Sequence, residues 1–198
     1  MDVSQALEQL DEIQHHLGRS EVYRGYRSRT LALMGCVGFL GALLLQVAWP
    51  QAKPIERIGF WAAIAALNLA IGAWEILGDY DELKTEHQRR LTKQTVGQFL
   101  PTLCSGTLLT MVFVSKDANL ELLPGIWSVL FALGIFASRP YLPRLVGWVG
   151  AFFLVGGALL LSFPTKALLE PWYMGAVFGG GQFLLAYVIY QNLEREKI

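Results

Sequence analysis

Six stretches of the chain contain no Asp, Glu, Lys or Arg: residues 30–52, 58–74, 94–115, 122–138, 145–165 and 171–193. A helix rises about 1.5 Å per residue, so crossing a hydrocarbon core ~30 Å thick takes roughly 17 to 20 apolar residues. Each stretch meets the lower limit. Lipid offers no partner to an open backbone, so apolar runs of this length must be helical. Only 16% of the residues are charged, against about 25% in soluble domains. The expected fold is all-α: an integral membrane bundle of six transmembrane helices preceded by an N-terminal amphipathic cytoplasmic helix. The spans are expected at about 30–49, 58–77, 96–114, 122–138, 145–163 and 172–191. Residues 1–29 then form the cytoplasmic helix and a basic junction, and 30–198 the transmembrane domain.

The basic residues fall on alternate sides of these spans. Twelve of the sixteen, including Arg27, Arg29, Arg89, Arg90, Arg139, Arg144 and Arg195, flank one side; Lys53, Arg57, Lys116 and Lys166 flank the other. Cations near spans are retained in the cytoplasm, which predicts a multi-pass plasma-membrane protein with both termini cytoplasmic. Trp49, Trp61, Trp127 and Trp172 fall at expected outer ends, Trp74 and Trp148 at inner ends, where amphipathic rings prefer the headgroup level. The first 29 residues are too polar for a signal-peptide core, so the first span is expected to act as an uncleaved anchor. The net charge is zero, and no basic face is long enough to track phosphates, which argues against nucleic acid.

Residues 2–22 carry Val3, Leu7, Leu10, Ile13 and Leu17 at helical spacing on one stripe, with Glu8, Asp11 and Glu12 on the other face. Anionic lipid would repel that acidic face. The stripe is therefore expected to meet protein, either a partner or a second copy of the chain, while the spans meet the bilayer.

Little else could carry chemistry. Glu75 lies about 26 Å along its helix from Ile58, within roughly one turn of the cytoplasmic interface. It reads as an interfacial anchor or ion pair, with a proton or substrate site as the alternative for an intramembrane carboxylate. Asn68 is central in the second span, Ser105 and Thr107 in the third, and Gln182 in the sixth, beside Gly179-Gly180-Gly181. Buried amides in hydrocarbon need partners. Interhelical hydrogen bonding supplies them in one account. A small polar pocket, with the last helix broken at its glycines, supplies them in the other. Cys36 and Cys104 lie within spans and no Cys or His stands at metal-ligand spacing, so neither metal nor cofactor is expected. Asp79, Asp81 and Glu82 lack the second acidic segment that interfacial Mg²⁺ sites use. No nucleophile–base pair, phosphate loop, metalloprotease helix or Gly-x-Ser-x-Gly is present, and no catalytic residue is assigned.

Two stretches carry a resemblance: Val22-Tyr23-Arg24-Gly25-Tyr26-Arg27-Ser28, and Leu123-Pro124-Gly125-Ile126-Trp127 with Gly134 through Arg144. They resemble an uncharacterised family of bacterial multi-pass inner-membrane proteins that begin with a short cytoplasmic helix. The resemblance implies a bacterial inner-membrane location and brings no catalytic residues. The expectation is a non-enzymatic membrane protein, an interaction or regulatory component of a membrane complex. A small-molecule transporter or transporter subunit with a midplane polar pocket is the alternative.

Overall fold

The computed structural model describes residues 26–82, 86–116, 119–162 and 171–195. Among them are six helices: α1 (Ser28–Ala48), α2 (Pro54–Glu82), α3 (Glu86–Lys116), α4 (Leu123–Ser138), α5 (Val146–Ser162) and α6 (Pro171–Glu194). Five are long and apolar enough to cross a membrane, α4 when taken with its flanking 3-10 turns as Leu120–Tyr141; α5 is the shorter apolar helix. The 17 described residues of α5 span about 26 Å. The stripe Val3, Leu7, Leu10, Ile13 and Leu17 lies outside the described residues.

The chain turns are built locally. Pro54 opens α2 at a position where a missing N–H costs nothing, and the Glu56 carboxylate accepts the Lys53 backbone N–H at 2.7 Å, one half of a capping box. Arg57 ties the same turn by donating to the carbonyls of Ala52 (3.0 Å) and Pro50 (2.8 Å). Asn119 adopts φ 52° ahead of the short 3-10 turn Leu120–Leu122, a left-handed conformation that Asn tolerates. After α4, another 3-10 turn (Arg139–Tyr141) leads to extended Leu142, as the residue before Pro143 must be.

At the end carrying most of the cations, the helices outrun the spans. The 78–95 connection, where the i,i+4 spacing of Glu86 and Arg90 supports a helical continuation, is largely helical: α2 continues to Glu82 and α3 begins at Glu86. Charge ends an apolar run but does not end a helix. Thr92 and Thr95 donate back to the carbonyls of Gln88 and Leu91, and both are buried. The Thr95 carbonyl in turn accepts from Ser138 Oγ at 3.2 Å, which seats the start of α3 on the α4–α5 corner.

The helices neighbour one another in the order α2, α1, α6, α5, α4, α3. Without a hydrophobic drive between helices in lipid, close packing depends on small residues. Gly175 and Gly179 of α6 lie against Ala42, Gly38 and Gly35 of α1; a β-carbon on Gly179 would come within 3.2 Å of the Gly35 carbonyl oxygen. Gly125 and Gly157 bring α4 and α5 equally close. A core of Leu31, Ile135, Val146, Val149, Phe153 and Ile189 fills the centre. At the end that carries Pro50, Pro54, Pro124 and Pro171 (the proline-bearing end), Ile58 of α2 meets Leu120 and Leu123, closing the circuit. Elsewhere α2 turns Ala62, Ala63, Ala66 and Ala70 outward, as a helix lying in lipid would.

Candidate functional site

Both α2 and α6 run antiparallel to α1, and so parallel to each other. On one side of α1, Ile64 lies against Gly41 and Gly72 against Met34. On the other, Gly175 lies against Ala42, and Phe183 against Gly35. At the proline-bearing end, Trp61 and Ile64 of α2 join Met174 and Phe178 of α6 in one apolar cluster over Ala42 and Leu45. One turn beyond Ile64 and Phe178 come Asn68 and Gln182. Asn68 reaches Met34 and Phe183 reaches Gly35, so the two midplane amides lie at the same level along α1.

Neither amide is satisfied. Asn68 Nδ2 donates to the Met34 carbonyl at 3.5 Å, the outer limit of a hydrogen bond. Asn68 Oδ1 and Gln182 Oε1 are buried with no hydrogen-bond partner among the described residues, and Trp61 Nε1 shares that condition. An unmade hydrogen bond on a buried polar atom costs about 1–3 kcal/mol, and more where hydrocarbon surrounds the protein. All three atoms belong to this seam, and Trp61, Asn68 and Glu75 are seven residues apart along the inner face of α2.

Trp61, at one end of α2, turns into the bundle and is 4% exposed, whereas Trp74 at the opposite end is 83% exposed. The cause is rotational. Trp61 shares the inward row of Ile64 and Asn68, while Trp74 lies on the far side of the helix. Trp127 also turns inward, donating to Thr110 Oγ1 at 2.8 Å.

At the glycines, where the pocket account has the last helix broken, the helix widens instead. Gly175–Gly179 forms a π-helical segment, and α-helix resumes at Gly180; such π turns recur at functional sites. Ser105 and Thr107 do not join the amides. Both are exposed on α3, where Thr107 Oγ1 bonds back to the Leu103 carbonyl at 2.9 Å.

Glu75 belongs to a collar around the start of α1. Its carboxylate accepts from Thr30 Oγ1 at 2.6 Å. Desolvation, with help from the neighbouring Glu75 charge, pushes the Tyr26 hydroxyl from an ordinary value near 10 up to about 12, so Tyr26 stays protonated beside the carboxylate. On the α6 side, a second π segment (Tyr190–Glu194) ends in Glu194. Its two oxygens accept from the Ser28 backbone N–H at 2.8 Å and from Ser28 Oγ at 2.5 Å. The Arg27 N-cap provides no side-chain cap, so the orphan donor that opens every helix is met here by a carboxylate from another helix, where the helix dipole favours it. Sequence reasoning did not single out Thr30 or Glu194, and it named Tyr26 and Ser28 only within the stretch that leads into α1. The readable signal was one of spacing: Trp61, Asn68 and Glu75 fall on one row.

Among the described residues, no cluster of three His, Cys, Asp or Glu side chains could hold a metal. No protein-family model, curated protein or solved structure matches this chain.

Proposed function

We propose that this chain is a non-enzymatic multi-pass protein of the bacterial inner membrane, crossing it six times with both termini in the cytoplasm. It serves as an interaction or regulatory component of a membrane complex, with Val3, Leu7, Leu10, Ile13 and Leu17 docking on a protein partner or a second copy. The observation that carries this reading is the two-point bond between Ser28 and Glu194. Whatever residues 2–22 engage, their root is fastened to α6 by that bond, and to α2 by the Thr30–Glu75 bond.

The deciding experiment is recovery of a partner, or of the self-associated form, from native membranes by crosslinking. Leu10→Asp places a charge in the stripe and should abolish that recovery while insertion stays normal. Glu12→Lys on the opposite face should matter much less. Equal losses from both would reject the stripe as the interface.

Orientation has its own test. In a background lacking Cys36 and Cys104, cysteines are placed at Gln88 and Asn119, both exposed and at opposite ends of α3 and its following turn. Position 119 should react with an impermeant thiol reagent in intact cells, and position 88 only after lysis. The reverse order would invert the assignment of sides.

A further inference from the structure

We propose that the seam between α1, α2 and α6 is a binding site for small neutral hydrogen-bonding molecules, water or a solute of like chemistry, held between Asn68 Oδ1 and Gln182 Oε1. This goes beyond docking through residues 2–22 and does not depend on it.

The unpartnered atoms define the ligand. Two amide oxygens at one level, both buried and both lacking a donor among the described residues, require a molecule that donates hydrogen bonds. Among the described residues, the buried side-chain acceptors left open at this level are these two amide oxygens. A bare hard cation takes six or more oxygen ligands and would be poorly held here. A charged solute would also lack a counter-ion at this level, because Glu75 lies about 10 Å further along α2 and is engaged by Thr30. A neutral donor fits both facts.

The row extends the site in each direction. Trp61 Nε1, two turns toward the proline-bearing end, is a buried donor without an acceptor. A molecule that binds there must accept, and one at the amides must donate. Water and small neutral solutes such as urea do both. Toward the basic end the row reaches the Glu75 carboxylate and Thr30, the polar exit from the seam. Gly72 lies between Asn68 and Glu75 and faces only the end of the flexible Met34 side chain, which can move without disturbing backbone.

The test uses the full chain in lipid bilayers, with Asn, Gln and Ser side chains isotopically labelled for water-edited solid-state NMR. Magnetisation should pass from water to the amides of Asn68 and Gln182. Ser128, whose hydroxyl is buried and bonded to the Phe153 carbonyl at 2.7 Å, is the dry reference. Adding urea distinguishes the two sources: a fall in water transfer at both amides identifies a solute site, and no change identifies water as the resident ligand. Asn68→Cys and Gln182→Cys give a second reading, since a thiol reacts as the thiolate and a dry apolar pocket suppresses it. Both should react with a small methanethiosulfonate. Amides as dry as Ser128 in the wild-type chain would overturn the proposal, whether or not the cysteine variants fold.

Discussion

Gly181→Ala should cost about 3 kcal/mol, while the same change one residue earlier, Gly180→Ala, should be neutral or stabilise by up to about 1 kcal/mol. A β-carbon on Gly181 would overlap the ring of Phe153. That ring is fully buried and held by Phe131, Phe152 and Phe178, with centroids at 4.8, 5.7 and 5.6 Å. It has nowhere to go. A β-carbon on Gly180 meets only the tip of Phe152 at 3.9 Å, an ordinary contact, and alanine removes the entropy that glycine costs a helix. Thermal unfolding of the two variants in mild detergent, with the fraction that elutes as a single species, checks the contrast. Equal behaviour would mean that α6 does not pack on α5 as described.

Glu194→Ala should destabilise by about 2–3 kcal/mol, the size expected when donors lose an ionised acceptor. Both the Ser28 N–H and its hydroxyl depend on that carboxylate. Glu194→Gln keeps an acceptor but removes the charge from the helix N-terminus, and should fall between wild type and Ala. Arg195 is exposed and bonds only to Gln191 one turn back, so Arg195→Ala should change stability by less than about 0.5 kcal/mol. Melting temperatures of the three variants order the effects. A Glu194→Ala protein as stable as Arg195→Ala would show that the cross-helix cap carries no weight.

The all-helical fold was legible because lipid imposes composition directly: runs such as 30–52 admit no other structure. Helix ends were less legible where helices leave that solvent. The extension past the last apolar residues was readable only from the i,i+4 spacing of Glu86 and Arg90, since Asp79, Asp81 and Glu82 at the end of α2 oppose its dipole. Polar positions stood out, as Asn68, Gln182, Ser105 and Thr107 did, but not the direction each faces. In spans that are apolar all round, periodicity does not separate a lipid-facing side from a packed one. Ser105 and Thr107 face outward for that reason, while Trp61 faces inward. The pairing of α2 with α6 depends on where glycines let α1 approach both, and the Ser28–Glu194 bond joins residues 166 positions apart. No local pattern encodes either.

The placement of α1 between α2 and α6 also sets a timetable for biogenesis. The α1–α2 hairpin leaves the ribosome early, whereas Gln182 and Glu194 follow Glu75 by more than a hundred residues. At about 5–20 residues per second, the early hairpin waits on the order of ten seconds before α6 arrives. During that interval the glycine face of α1 has no neighbour and the Ser28 N–H has no carboxylate to meet. Only the arrival of α6 brings Gly175 and Gly179 against that face and the Glu194 carboxylate to Ser28.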